Sequence, residues 1–351
     1  MDDVILGKRY EYDGKPIRDL NDEQIQSLER VKKAINQGEY ELGRYCCTVC
    51  DNKDFQLLSE KDRYGLPINV VICGECGLIQ NNPRFTPEAS SKFYDEEYRT
   101  LYDLKDAEHS FNKQINEAPE IYDYIISNVE LEKSDINVLE IGCGYGGLVS
   151  YFQSKGHTVL GCDLDSEAIE YGKEKGLPVI HSDIRDLSLK WNPDVVILDD
   201  VLEHLTDPAG LLEFLVNRFG EETYVYIDLP GVKNLHYRRT FYNGDFLRYI
   251  HIAHTHHFSL KSLDNLMSVS GYELVEGDER IRALFRTGGK KGKNRITSDY
   301  EEIISHIKKL EKNRKLKLNK VGTLHKNPTT IRILKRLGVY PVSKKAYNII
   351  K

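Results

Sequence analysis

Apolar residues recur along the chain with two periods. Between residues 135 and 286 short apolar runs (INVLEI, HTVLGCD, LPVI, DVVILDD, TYVYIDL, YELVEG, RIRALFR) are separated by amphipathic stretches. Strands alternating with helices over short loops predict a parallel sheet flanked by helices. Earlier, Ile25, Leu28, Val31 and Ile35 recur every three to four residues behind Asn21 or Asp22, which predicts a capped helix. The segment 86–130 reads as helical and aromatic-rich, with FYDEEYR at 93–99. The pattern divides the chain into a helical lead-in (1–43), a cysteine-bearing module (44–85), a helical linker or lid (86–130), the alternating domain (131–287) and a C-terminal extension (288–351) that reads as two helices with a break around Gly322 to Pro328.

Composition narrows this. The chain has 351 residues, 40% apolar and 30% charged, enough for a sizeable core with a solvated surface. No run of about 18 apolar residues and no signal-peptide core appears, so a cytoplasmic protein is expected. The net charge of −6 is unevenly spread: residues 288–351 carry 18 Lys and Arg against four Asp and Glu, a surplus of 14 that leaves −20 on the rest. Such a tail suits an anionic surface, including the inner membrane face, a solvated helix, or a segment that folds back on the acidic body or joins subunits.

Five of the seven cysteines fall between Cys46 and Cys76. The pairs Cys47/Cys50 and Cys73/Cys76, with 22 residues between them, match a four-thiolate zinc ribbon. A closed thiolate shell leaves no position for water, so a structural Zn2+ is expected.

After the strand ending at Ile141, Gly142, Gly144 and Gly146 open a helix, the arrangement by which a backbone turns sharply and approaches a ligand. Asp163 ends the next strand about 20 residues on, placed to accept from a ribose diol. Glu140 just before the glycines would repel a pyrophosphate and favour a cofactor with ammonium and sulfonium charges. That selects S-adenosylmethionine over NAD.

With VLEIGCGYGG, GCDLD, HSDIRDL and VVILDDVLEHLTDP in this order, the segment resembles class I S-adenosylmethionine-dependent methyltransferases. The resemblance implies a Rossmann-like α/β sheet of seven strands, the last antiparallel, with helices on both faces. It also implies that Gly142, Gly144 and Gly146 line the methionine moiety, that Asp163, with Leu164, holds the ribose, that Asp183 and Ile184 meet the adenine, and that Asp199 and Asp200 face the reacting methyl. CTVC…CGEC with FYDEEYR upstream resembles a narrower bacterial group that joins a zinc ribbon to this domain, many members of which are linked with sugar or surface-polysaccharide methylation. Its sugar C-methyltransferases carry a large further C-terminal domain, for which this chain lacks the length, so O-methylation is favoured over C-methylation.

Methyl transfer to an alcohol needs alignment and a base. Asp200, Glu203 and His204 follow the fourth strand of the domain, at the edge where open α/β sheets bind ligands, and His204 is neutral near pH 7. His251, His254, His256 and His257 follow the fifth strand, with Ser259 placed to cap the next helix. In the family a His-Phe-Ser element contributes to the acceptor pocket, which maps onto His257, Phe258 and Ser259. Three readings of this cluster stay open: acceptor binding or base, with His257 as base and His254 and His256 as acceptor contacts; a divalent metal with Asp199 or Asp200; and local hydrogen bonding. A second metal is not assigned. Tyr98, as an aromatic lid or as core packing, and Arg238 and Tyr242, as planar groups for a sugar or phosphate, complete the expected acceptor site. The expected activity is transfer of a methyl group to a hydroxyl of a nucleotide- or lipid-linked sugar. An RNA acceptor is the alternative that a zinc ribbon with a basic tail would also suit, and the −20 body argues against it.

Overall fold

A computed structural model describes residues 4–104, 106–236, 242–289, 292 and 296–326. Helix α1 (Asp22–Gln37) opens with a capping box in which Asn21 and Gln24 satisfy each other's backbone N–H, and Gly38 ends it in the left-handed region. Its buried face is Leu28, Val31 and Ala34, whereas Ile25 is 46% exposed, so the apolar stripe starts one turn later than the spacing predicted. Strands β1 (Leu42–Gly43), β2 (Phe55–Lys61), β3 (Pro67–Cys73), β4 (Ile79–Asn81) and β5 (Arg84–Phe85) follow. Helix α2 (Pro87–Phe93) runs through a π-helical turn (Tyr94–Tyr98) into α3 (Arg99–Tyr102), and α4 (Ala107–Asn128) leads into the alternating domain.

That domain contains β6 (Asn137–Ile141), α5 (Gly147–Ser154), β7 (Thr158–Asp163), α6 (Ser166–Glu174), β8 (Val179–His181), β9 (Val195–Asp199), α7 (Pro208–Phe219), β10 (Tyr224–Asp228), α8 (Phe246–Tyr249), β11 (His256–His257), α9 (Leu260–Ser270), β12 (Tyr272–Gly277) and β13 (Arg282–Thr287). Its seven-stranded sheet has the order β12-β13-β10-β9-β6-β7-β8. The strands β8, β7, β6, β9 and β10 are parallel, and β13 is antiparallel to β10, as expected. Alternate residues serve alternate faces. Val138, Ile197, Tyr226 and Leu284 pack with α4 and α5, while Leu139, Ile141, Val196, Leu198, Val225 and Phe285 pack with α7 and α9.

Two features were not legible beforehand. Strand β11 leaves the large sheet and pairs with β4, so the second sheet, β11-β4-β3-β2, is completed by a segment that follows β10. Cys47, Cys73, Cys76 and Leu78 consequently share one apolar cluster with the large sheet, and the cysteine module and the alternating domain meet in a common core.

The second feature is α10 (Tyr300–Lys326), which continues through the expected break at Gly322. It buries Ile303, Ile304, Ile307 and Leu310 against the core of α1, Tyr10 and the small sheet. Glu311 accepts from the Tyr10 hydroxyl at 2.8 Å and from Arg9 at 3.1 Å. Just before the helix, the Asp299 N–H donates to the Cys76 carbonyl, and a Cβ on Gly77 (φ 83°) would lie 2.5 Å from the Tyr300 nitrogen. The start of the basic extension is therefore seated on the cysteine knuckle. Its remainder, 327–351, lies outside the described residues, as does Arg238. Among the described residues no helix is long and apolar enough to cross a membrane.

Candidate functional site

Four carboxylates meet where the parallel strands end. Glu140 lies in β6, Asp163 ends β7, Asp199 ends β9 and Asp228 ends β10, with Asp199 and Asp228 in register. The loop after β6 turns through three left-handed glycines, Gly142 (φ 73°), Gly144 (φ 50°) and Gly146 (φ 80°). A Cβ on Gly142 would meet the Val201 side chain at 2.5 Å. Asp163 holds this loop, accepting from Gly144 N–H at 2.7 Å and from Asp165 N–H at 2.8 Å. From the other side, Gln114 on α4 donates to the Cys143 carbonyl and accepts from Gly147 N–H, each at 3.1 Å.

The electrostatics of this edge favour a cationic ligand. Burial, and then the charges of Asp199 and Asp163, hold the Glu140 carboxyl well above the usual carboxylate range. Burial, and then Asp200 and Asp228, do the same for Asp199. Burial also raises Asp163, against the two N–H donors that favour its charged form. Glu140 Oε2 is buried with no hydrogen-bond partner. Carboxylates that repel one another around a glycine loop fit the ammonium and sulfonium of S-adenosylmethionine, whose binding would relieve that repulsion.

The other residues expected to bind the cofactor lie on the neighbouring strand ends and loops. Leu164 is 67% exposed beside Asp163. Asp183 accepts from Arg185 N–H at 2.7 Å. The Ile184 side chain, expected at the adenine, belongs to the core, so only its backbone can reach a ligand.

The segment after β9 carries the groups expected to do chemistry. Asp200 has φ 51°, a conformation non-glycine residues rarely adopt, which re-aims the chain at the end of the strand. Glu203 and His204 follow in a single 3-10 turn, Leu202–His204. His204 Nδ1 shares a 2.6 Å hydrogen bond with the Tyr94 hydroxyl, and burial pushes its pKa down to about 4, so the ring is neutral at pH 7. Above it Tyr94, Tyr98 and Tyr102 stack along one helical face, ring centroids 4.5 and 4.6 Å apart, the π-helical turn bringing the three into line. Tyr102 in turn shares a 2.6 Å hydrogen bond with His251 Nδ1. Arg99, the residue after Tyr98, turns the other way and pairs with Asp165 and Glu167 and with the Tyr145 hydroxyl. The helical segment is thus fastened to the glycine loop on one side and to the histidines on the other.

The histidine segment divides. His254 Nε2 stands 3.8 Å from Glu203 Oε1, within the cluster. His256, expected to contact the acceptor, lies in β11 with both ring nitrogens engaged, Nε2 with the Thr48 hydroxyl and Nδ1 with the Thr255 hydroxyl, each at 2.8 Å. His257 is fully enclosed, its ring 5.0 Å from that of Tyr249, and burial pushes its pKa down to about 3. Neither ring is placed to reach an acceptor, because strand pairing with β4 draws both inside. Ser259 caps α9 through a capping box. Tyr242 is likewise buried, its ring edge-on to Tyr249 at 5.3 Å. Asn81 in β4, unremarked in the sequence, organises the segment by donating to the His254 carbonyl at 2.9 Å.

The four cysteine sulfurs lie within 4.8 Å of one another, Cys47 to Cys76 at 3.4 Å and Cys50 to Cys73 at 3.5 Å. All are free thiols. A tetrahedron with 2.3 Å zinc–sulfur bonds has edges of about 3.8 Å, so the set fits such an ion with little movement. Cys46 is exposed and outside the set.

Residues 106–277 match the family model of a methyltransferase domain. The chain is 27% identical over 109 residues to trans-aconitate 2-methyltransferase of Mycobacterium tuberculosis (strain ATCC 25177 / H37Ra), covering 30% of this chain and 41% of that one. It is 35% identical over 97 residues to the ubiquinone biosynthesis O-methyltransferase of Vibrio parahaemolyticus, covering 24% of this chain and 41% of that one. The chain thus spans about two fifths of the length of these curated relatives. Among solved structures it is similar to a plantazolicin methyltransferase in complex with a substrate analogue and SAH, at 18% identity and a TM-score of 0.42, covering 62% of this chain and 84% of that one.

Proposed function

We propose that this chain transfers a methyl group from S-adenosylmethionine to a hydroxyl of a carbohydrate, nucleotide- or lipid-linked, while a structural zinc ion at Cys47, Cys50, Cys73 and Cys76 braces the acceptor side. One observation carries the reading. The carboxylate-rich glycine loop and the cluster of Asp200, Glu203, His204 and Tyr98 share the carboxyl edge of one sheet, beneath one lid helix.

Bound there, the cofactor supplies an electrophilic methyl group on a sulfonium. Glu140, Asp163 and Asp199 offset its positive charges, and the glycine loop admits it closely. The chain aligns the acceptor oxygen with the methyl and removes its proton as the bond forms, a contribution of about 10²–10⁴ in rate. Asp200, Glu203 and His204 are the groups placed for that removal. The row of Tyr94, Tyr98 and Tyr102 would offer aromatic groups suited to a sugar ring, while the Tyr94 and Tyr102 hydroxyls hold His204 and His251. The relatives named above act on an organic acid and in ubiquinone biosynthesis, so support for a sugar comes from this aromatic and polar lining. The basic residues beyond 288 would add contact with an anionic inner leaflet for a lipid-linked acceptor.

The test has two parts. Calorimetry should show S-adenosylmethionine binding, and labelled cofactor should pass its methyl to a member of a nucleotide-sugar and lipid-linked sugar panel. No cofactor binding would overturn the whole reading. Binding with transfer only to carboxylic acids or RNA would overturn the sugar acceptor.

A further inference from the structure

Glu203, His204 and His254 bring one carboxylate oxygen and two imidazole nitrogens together, all within 4.8 Å of one another. Glu203 Oε1 is the hub, 3.9 Å from His204 Nε2 and 3.8 Å from His254 Nε2. The three side chains are only 2%, 16% and 7% exposed. Ligands at about 2.1 Å from a tetrahedral ion lie about 3.4 Å apart, so drawing each imidazole in by roughly 0.5 Å brings Glu203 Oε1 to ligand spacing from both.

The surroundings hold the donors in that pose. The Tyr94 hydroxyl occupies His204 Nδ1 at 2.6 Å and leaves Nε2 turned toward Glu203, the arrangement that orients a ligating imidazole. The Thr255 N–H and hydroxyl donate to the Glu203 carbonyl at 2.8 and 3.1 Å, tying the residue after His254 to the residue it faces. His251, fixed by Tyr102, backs the His254 ring at a centroid distance of 3.7 Å. Two imidazoles and a carboxylate leave coordination positions open, unlike the closed set of four thiolates.

We propose that Glu203, His204 and His254 form a second metal site, for a divalent transition-metal ion that binds the acceptor through adjacent hydroxyls. The inference deepens the methyl-transfer reading and rests on it for its chemical purpose. An acceptor hydroxyl at an open position gives its proton to Asp200. Its oxygen then forms the bond to carbon as the carbon–sulfur bond breaks, and the sulfonium leaves as a neutral thioether. His204 is then a ligand and Asp200 the base.

The experiment uses the full chain with its four cysteines saturated with zinc, titrated with Co2+ alone. Expected is one further ion per chain, with visible ligand-field absorption and no thiolate-to-cobalt charge-transfer band. Glu203→Gln should lose this binding by about 100-fold or more, and Tyr94→Phe should weaken it about 10-fold. His254→Gln is the second ligand variant, and retained zinc with unchanged S-adenosylmethionine affinity shows that each variant is folded. Co2+ that binds only with thiolate bands, or binds Glu203→Gln as tightly as the native chain, would overturn the site. Cofactor binding without a second ion removes this inference and leaves the methyl-transfer reading standing. A second ion without cofactor binding does the reverse.

Discussion

The carboxylate edge of the large sheet and the histidine seam between the two sheets are both buried, polar and rich in titratable groups, yet they are built differently. At the edge each group ends or nears the end of its own strand, so Glu140, Asp163, Asp199 and Asp228 converge once the strands lie parallel. At the seam, Glu203 and His204 meet His254 because β11 crosses to pair with β4. The edge depends on one sheet and crowds carboxyl groups together, whereas the seam depends on two and is lined by imidazoles. A site of the first kind is robust and waits for a cation, while a site of the second kind is only as sound as the contact between modules.

The strongest way to break the seam is through the cysteines. Zinc ligation by such a module is worth on the order of 10 kcal/mol, comparable with the stability of a whole domain. Cys76→Ser should abolish stoichiometric zinc and, because Cys76 shares a core with β6, β9 and β10, lower the melting temperature of the entire chain. A purified protein without zinc, or a variant melting only in part, would contradict the shared core.

Removing apolar bulk from α10 tests the seam from the other side. Ile307→Ala should cost about 2–5 kcal/mol, the range for a large-to-small change in a packed interior, read by denaturant titration. Deleting residues 327–351 instead should leave stability unchanged and abolish sedimentation with anionic vesicles at low salt. Equal losses from both changes would show that the remainder of the tail is also part of the core.

Acid should separate the two regions next. His204 and His257, with folded pKa values of about 4 and 3, stay neutral in the folded chain while the unfolded chain binds protons near pH 6.5. The unfolded state then binds more protons, so their contribution is complete above pH 6.5 and is lost as pH falls toward 4. Melting temperatures should decline across that window, with a shallower slope in His257→Gln. An unchanged slope in that variant would exclude His257 as a source of the decline.

The smallest effect is expected at the edge. Asp163→Asn keeps the shape but weakens the hold on Gly144 and on the proposed ribose contact, and should weaken S-adenosylmethionine by roughly 1.5–3 kcal/mol in calorimetry. Unchanged affinity would move the ribose contact elsewhere.

This contrast also explains which parts were legible in the sequence. Cysteine spacing, the glycine turn and strand-ending acids are local constraints, and they located the four-cysteine cluster, the glycine loop and the seven-stranded sheet. Asp228 follows the same strand-ending pattern as Asp163 and Asp199 and could have been read from YIDL. The fates of His256 and His257 could not, because only pairing with β4 shows that one ring is engaged by Thr48 and Thr255 and the other is sealed. The packing of the basic extension was hidden for a related reason. Its charge count describes a surface, while Ile303, Ile304, Ile307 and Leu310 form an inward stripe that total charge does not reveal.

The pairing of β11 with β4 joins His256 to Gln80, and α10 returns further still, with Glu311 meeting Tyr10 across 301 residues. Contacts of such sequence separation form late, since the loop they close must be ordered first. During synthesis the cysteine module therefore emerges with an open sheet edge at β4, and it keeps that edge until most of the alternating domain has followed. An unpaired edge is a template for association with other chains. Early zinc capture by the cysteines would hold the nascent module compact through that interval, giving the ion a part in biogenesis as well as in the finished fold.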